Sequence, residues 1–235
     1  MKNSEIIIMP AYNEAKNIVK VVSSVKFLFP EYQVLVINDG SSDNTSELAS
    51  EAGATVIDHP FNMGYGVAIQ TGYKYAYRNG YNYLVQMDSD GQHAIEEISK
   101  LLANVTDGSC EIVFGSRYIE ENGYKKSMFR YIGTLFFRIL LGMMTGRKIT
   151  DPTTGFQAMN RNVLKIFIKD LFPCDYPDAD IMILLTEIGI KFKEIPVKMF
   201  NRNDGKSMHN NPFEVCYYLF KMSLSMCVTK IRKYS

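Results

Sequence analysis

The stretch Asn82-Tyr83-Leu84-Val85-Gln86-Met87-Asp88-Ser89-Asp90-Gly91-Gln92-His93 decides the reading of this chain. Residues 82–87 read as a buried strand, and the strand runs directly into two carboxylates two residues apart. Carboxylates so placed can both aim at one hard cation. Magnesium in particular prefers a few carboxylates together with phosphate oxygens supplied by a substrate. The plainer alternative is an Asx-turn that merely ends the strand.

Outward from this strand the pattern repeats. Upstream, Glu5–Met9 is an apolar run that stops at Pro10, and a helix is expected over 14–29 on Ile18, Val19, Val22, Val25 and Phe29, with Asn13 as its cap. A strand at 33–37, turn chemistry from Asn38 to Asp43, a helix at 43–52, a strand at 55–57 and a helix at 64–79 follow. Downstream come a helix at 94–105 and a strand at 111–115. Strands alternating with helices predict βαβ units, hence an α/β fold with a mainly parallel central sheet flanked by helices. In such sheets ligands gather at the carboxyl ends of the strands. Those ends carry Pro10-Ala11-Tyr12-Asn13-Glu14, Asn38-Asp39-Gly40-Ser41, Asp88–His93 and Gly115-Ser116-Arg117.

After Gly115 the rhythm changes to a long apolar helix over 127–146, a loop over 147–155, a strand at 156–159, helices at 161–169 and 178–189, a strand at 191–199, a polar loop at 200–211 and a helix from Pro212. The expected organisation is one domain over 1–211, with a half whose strand ends would collect ligand and metal (1–115) and a second half of different rhythm (116–211). An amphipathic helix and basic tail follow over 212–235. Charge divides the same way: residues 1–115 hold 7 basic and 14 acidic side chains, and residues 116–235 hold 19 and 11. An acidic half suits a cation and a basic half suits anions.

At 235 residues, 46% hydrophobic and 22% charged, the chain can bury one sizeable core. Cys110, Cys174, Cys216 and Cys227 form no CxxC pair and read as reduced, mostly buried thiols of a cytosolic protein. His59, His93 and His209 are scattered, which argues against zinc. Residues 6–9 are too few for the apolar region of a signal peptide. The best candidates for a membrane span, near 128–146 and 212–229, are interrupted by Arg130, Arg138, Glu214 and Lys221. A soluble or membrane-surface protein is expected. Gly64-Tyr65-Gly66 with Gly72 has Ile69 where a dinucleotide fingerprint needs its third glycine, and no GxxxxGK[ST] loop occurs.

Taken in order, Ile8–Glu14, Val36–Asp43, Asn62–Gly66, Asp88–His93, Gly115–Arg117, Thr150–Phe156 and Arg202–Met208 resemble family 2 glycosyltransferases of the GT-A fold, especially the branch that glycosylates polyprenyl and dolichyl phosphates. The resemblance spans residues 6 to about 210. It implies that Pro10, Ala11, Tyr12, Glu14, Asp39, Gly66, Asp88 and Ser89 cradle the nucleotide, with Asn38 standing where the family often has another Asp. It implies that Asp88, Asp90 and Gln92 hold Mg2+ or Mn2+, and that Arg117, Arg202 and Lys206 meet phosphate, for which arginine's planar fork is suited.

Asp151 is the implied base or acceptor-positioning group. A lipid phosphate is already anionic and attacks without deprotonation, whereas a hydroxyl acceptor requires a general base. Asp178 and Asp180 are alternatives for that base, although capping the helix after Pro177 is their plainer reading. A single displacement inverts the anomeric centre. The expected donor is a nucleotide-diphosphate sugar, with UDP ahead of GDP, and the expected acceptor is a polyprenyl phosphate. A hydroxyl of a lipid-linked or cell-envelope glycan is the alternative acceptor, and a non-catalytic nucleotide-sugar binding module is the reading from another class.

The helix at 127–146 combines apolar residues with Lys125, Lys126, Arg130, Arg138, Arg147 and Lys148, and the final helix combines them with the basic tail Lys230, Arg232 and Lys233. Such helices either lie on a bilayer or bury against the sheet. The resemblance favours peripheral placement on the inner face of the cell membrane. Because the chain stops without the transmembrane helices of longer relatives, a separate anchor protein is also expected. No nucleic-acid partner is expected.

Overall fold

Ile6, Ile7, Ile8 and Met9 have no solvent exposure, and that explains the shape of the whole molecule. A strand buried on both faces needs helices on both sides, and successive side chains must point to opposite layers. In the computed structural model, which describes residues 4–120, 128–170, 172–173, 177–200 and 212–232, this strand is β1 (Glu5–Ala11). Ile6 and Ile8 enter one core with Ile69, Tyr73, Phe137, Phe167 and Met226, while Ile7 and Met9 enter a second with Val22, Val25, Ile98 and Leu101.

The elements follow as α1 (Ile18–Leu28), β2 (Gln33–Asn38), α2 (Thr45–Glu51), β3 (Thr55–Asp58), α3 (Tyr65–Arg78), β4 (Tyr83–Gln86), α4 (Glu97–Thr106) and β5 (Ile112–Ser116). Then come α5 (Met128–Thr145), β6 (Gln157–Asn160), α6 (Arg161–Phe167), α7 (Ala179–Glu187), β7 (Phe192–Pro196) and α8 (Pro212–Ile231). The sheet runs β3-β2-β1-β4-β6-β5-β7, with β6 antiparallel to both neighbours and every other pairing parallel. The expected mainly parallel α/β architecture is therefore present. Helices α1, α2 and α4 cover one face, and α3 and α5 to α8 cover the other.

The chain leaves β1 toward β2 and β3, then returns to β4 on the other side of β1. Between β1 and β4 lies a topological switch point, where the loops after the two strands diverge and leave a crevice.

Two local expectations change. The helix expected from residue 14 starts at Ile18, and Asn13 does not cap it. Asn13 instead takes a left-handed backbone (φ 54°), and its Oδ1 accepts from Ser42 N–H at 2.8 Å. Asparagine tolerates that conformation, which turns its amide across to the neighbouring loop. Of the described cysteines, Cys110 is buried but Cys227 is exposed.

Helices α5 and α8 each bury one apolar face against the sheet side of the molecule and leave other apolar residues exposed. In α5, Phe137 and Leu141 are buried while Leu135, Phe136, Ile139 and Met143 are exposed. In α8, Met222 and Met226 are buried, and Tyr217, Phe220, Leu224, Val228 and Ile231 are exposed in a stripe spaced 3, 4, 4 and 3 residues apart. No helix of the described residues is long and apolar enough to cross a membrane.

Candidate active site

Two loops at the crevice are laced together by side chain to backbone bonds. Asn13 N–H donates to Ser41 Oγ (2.9 Å), Glu14 N–H to Thr45 Oγ1 (2.9 Å) and Ala15 N–H to Asp43 Oδ2 (3.2 Å). This is the work of the short polar residues in Asn38–Thr45: they satisfy loop amides that have no ladder partner. Gly40 is obligatory, since a Cβ there would lie 2.4 Å from the Phe61 carbonyl carbon. Asn38 donates through Nδ2 to Asp58 Oδ1 at 2.7 Å, a bond that an aspartate at 38 would replace with a clash of two carboxylates.

Asp39 is buried, and its acceptors are heavily engaged. Oδ1 receives Met63 N–H (2.9 Å) and lies 2.7 Å from His59 Nδ1, while Oδ2 receives Gly64 N–H (2.9 Å). Asp39 thus anchors the loop that opens α3. Gly66 is buried in the first turn of that helix. Tyr12 stands 49% exposed at the mouth, and Glu14 is buried, accepting from Asn17 Nδ2 at 2.8 Å. The Ser89 hydroxyl turns away from the mouth and donates to Pro10 O at 2.8 Å, joining the ends of β1 and β4.

Asp88 and Asp90 follow β4 at the crevice floor, both partly exposed. Asp88 Oδ1 accepts from the Tyr65 hydroxyl at 3.1 Å. His93 Nδ1 accepts the Asp88 N–H at 3.1 Å, so the ring carries its proton on Nε2, which sits 3.6 Å from Asp88 Oδ2 and has no hydrogen-bond partner. Burial pushes His93 down to about 4, with Asp90 and Asp151 opposing that shift and Arg117 adding to it. The ring is therefore neutral at physiological pH, and its contact with Asp88 is not an ion pair. It stacks on Phe156 at 4.6 Å. Gln92 donates through Nε2 to Phe200 O (3.2 Å), which leaves its carbonyl oxygen as the side chain's acceptor.

The donors near this floor are hard oxygens, the class that Mg2+ and Mn2+ select. No group of three or more His, Cys, Asp or Glu that could cage a metal occurs among the described residues. The set fits a divalent ion held by two carboxylates and an amide oxygen and completed by a diphosphate.

Across the crevice, Asp151 has no solvent exposure and is gripped by Arg117. Nε donates to Oδ2 at 2.7 Å, NH2 to Oδ1 at 2.6 Å and the Arg117 backbone N–H to Oδ2 at 3.0 Å. Arg117 NH2 also reaches Thr153 Oγ1 at 2.9 Å. Glu194 on β7 accepts the amides of Thr150 and Asp151, each at 2.7 Å, and so holds the loop that presents Asp151.

Asp178 stands at the N-cap of α7, but its side chain makes no capping bond. Asp178 Oδ2 accepts from the Tyr218 hydroxyl (2.8 Å) and Asp180 Oδ2 from Ser225 Oγ (2.6 Å), both on α8. Burial raises Asp178 to about 6, opposed by the Tyr218 bond and assisted by Asp88. Burial raises Asp180 to about 7, opposed by the Ser225 bond and assisted by Asp178, and Asp180 Oδ1 has no partner. Both groups hold protons in the folded chain that the unfolded chain releases near 3.8. Their contribution is full below that value and is lost as pH rises through about 6 to 7. Asp180→Asn is therefore expected to melt several degrees above the wild type at pH 8, with the difference shrinking toward pH 4. Equal melting curves across that range would sink this reading.

The expected site residues Pro10, Ala11, Tyr12, Glu14, Asp39, Asp88, Ser89, Asp90, Gln92, Arg117 and Asp151 belong to the strand ends and loops around one sheet edge, and Gly66 to the first turn of α3. Arg202 and Lys206 lie outside the described residues. Sequence reasoning passed over Tyr65, His93 and Glu194. The first two stand inside stretches already singled out, Gly64-Tyr65-Gly66 and Asp88–His93, whereas nothing near Glu194 marks it.

A carboxylate pair at a switch point, on a seven-strand sheet with one antiparallel insertion, is the arrangement that the resemblance to glycosyltransferases of the GT-A fold implies. The glycosyl transferase family 2 model matches residues 6–167, and the chain belongs to that family. It is 32% identical over 217 residues to a polyprenol monophosphomannose synthase of Mycolicibacterium smegmatis, covering 86% of this chain and 79% of that one. It is 28% identical over 211 residues to a UDP-N-acetylglucosamine–dolichyl-phosphate N-acetylglucosaminyltransferase of Methanococcus voltae, covering 82% and 84%. Its fold matches glucosyl-3-phosphoglycerate synthase of Mycobacterium tuberculosis, solved with Mn2+, UDP and phosphoglyceric acid (TM-score 0.70, 17% identity, 99% of this chain and 80% of that one).

Proposed function

We propose that this chain is an inverting glycosyltransferase that moves a sugar from a nucleotide-diphosphate donor to a polyprenyl phosphate at the inner face of the cell membrane. The observation that carries the acceptor class is the state of Asp151. Both its oxygens are bound by Arg117, so it is arranged to fix a guanidinium and not to collect a proton. A phosphate acceptor needs no base, and it does need cations. Two of the relatives are named for lipid-phosphate acceptors. The exposed stripes on α5 and α8, bordered by Lys221 and Arg232, suit an anionic bilayer surface.

Asp88, Asp90 and Gln92 would hold Mg2+ or Mn2+, which when bound neutralises a diphosphate leaving group. Tyr12, Glu14 and the laced loops wall the nucleotide side. Arg117, set by Asp151, draws the acceptor phosphate toward the anomeric carbon. A phosphate oxygen forms the new bond to that carbon as its bond to the diphosphate oxygen breaks, so the configuration inverts. A second reading, transfer to a glycan hydroxyl, is favoured by Asp178 alone, a buried carboxyl raised to about 6 within electrostatic range of Asp88.

One assay tests the choice. Purified protein receives labelled UDP- or GDP-sugar with Mn2+ and vesicles containing undecaprenyl phosphate or undecaprenol. Glycolipid is expected only with the phosphate. Phe220→Asp/Leu224→Asp, at positions 70% and 55% exposed, is expected to lower transfer to the vesicle acceptor about 10-fold or more. It should spare a short water-soluble prenyl phosphate. Product from undecaprenol alone would overturn the phosphate acceptor.

A further inference from the structure

Beneath Asp88 runs a buried file of polar side chains that the reaction above does not use. Gln157 on β6 donates through Nε2 to the Tyr73 hydroxyl and to Gln86 Oε1, both at 2.9 Å. Tyr73 donates its own proton to Gln86 Oε1. Gln86 donates through Nε2 to the Tyr65 hydroxyl (3.0 Å), and Tyr65 donates to Asp88 Oδ1 (3.1 Å). Tyr73, Gln86 and Gln157 are at most 2% exposed.

The donor and acceptor inventory gives this file a single direction. The Asp88 carboxylate can only accept, so the one Tyr65 proton goes to it and the Tyr65 oxygen must take a Gln86 N–H; Gln86 Oε1 is then left to receive Tyr73 and Gln157. Successive bonds of one sense also strengthen each other in a buried setting. Gly155 leaves the space this contact needs: a Cβ there would lie 2.7 Å from the Tyr65 hydroxyl oxygen and 3.1 Å from Asp88 Oδ1.

We infer that Tyr65 is a positioning residue for Asp88: its hydroxyl, aimed by Gln86 and Gln157, pins the carboxylate in the rotamer that receives the divalent ion. The inference rests on the reading of Asp88 and Asp90 as holders of that ion. It also gives Gly155, just before the strand inserted antiparallel into the sheet, and Gln157, its first residue, a part in the donor site.

Calorimetric titration of Mn2+ into protein saturated with UDP or GDP, whichever the wild type binds, tests it without turnover. Tyr65→Phe keeps the ring and removes only the hydroxyl. Its Mn2+ affinity is expected to fall about 10- to 100-fold, as for other groups that orient a metal ligand, with metal-free nucleotide affinity unchanged. Gly155→Ala presses on the same hydroxyl from the other side and should weaken Mn2+ as well. Combined with Tyr65→Phe its added effect should shrink, because the methyl then occupies the vacated space. Unchanged Mn2+ affinity in folded Tyr65→Phe, beside a wild type that binds the ion, overturns the role of Tyr65 alone. A wild type that binds nucleotide but takes up no Mn2+ overturns the ion site and this role together.

Discussion

Replacing Asp88 and Asp90 together by asparagine is expected to lower metal-dependent sugar transfer by at least about 10³-fold while the chain stays folded. Both carboxylates sit past the end of β4 and are partly exposed, so neither holds the core. Asparagine preserves their shape. Its carbonyl oxygen at 88 still accepts from Tyr65, and its oxygen at 90 still accepts from Gln92 N–H, which Asp90 Oδ1 receives at 3.0 Å. What disappears is two negative charges at the place where a cation and a diphosphate would meet. Coordination by neutral amide oxygens is far weaker for a hard divalent ion. The check pairs turnover with melting curves of UDP or GDP, with and without Mn2+. Loss of turnover together with loss of the Mn2+-dependent shift, at near wild-type melting in the apo form, is the expected pair. Undiminished turnover in the double variant would remove the ion from Asp88 and Asp90.

Much of this architecture is legible in the sequence because the relevant signals are local. The apolar run Ile6–Met9 cannot be half solvated, so it reads as a central strand, and the polar cluster Asn38–Thr45 reads as a turn because its side chains serve nearby amides. The lost readings are those that depend on partners distant in sequence. Nothing in Gln157–Asn160 says that this strand inserts antiparallel between β4 and β5. Asp178 and Asp180 look like helix caps after Pro177, yet their partners are Tyr218 and Ser225, about forty residues away. Asp39 reads as a ligand contact, and the structure shows it occupied by the loop at 59–64. Tyr65 reads only as the unconstrained position between two glycines and stands against Asp88. In each case the residue type was visible, and the proton donor or acceptor that gives it meaning was not.

Arg117→Met is expected to be the most destabilising single change at the site. It strands Asp151, which has no solvent exposure, next to Glu194, itself raised by burial and partly by Asp151. Removing one partner of a buried ion pair costs about 3–5 kcal/mol, because the remaining charge keeps its desolvation penalty and loses its cation. For a chain of this length that corresponds to a fall in melting temperature of roughly 6–20 °C. Adding Asp151→Asn should return much of the loss, since the stranded charge is then gone, while transfer stays depressed about 10²-fold or more because no guanidinium meets the phosphate. This non-additivity separates two roles for Asp151. If Asp151 serves mainly to hold Arg117, the single arginine variant is unstable and the double variant is rescued in stability but not in transfer. If Arg117→Met melts like the wild type, Asp151 does not depend on the arginine, and a proton-accepting role with a hydroxyl acceptor becomes the better account of the crevice.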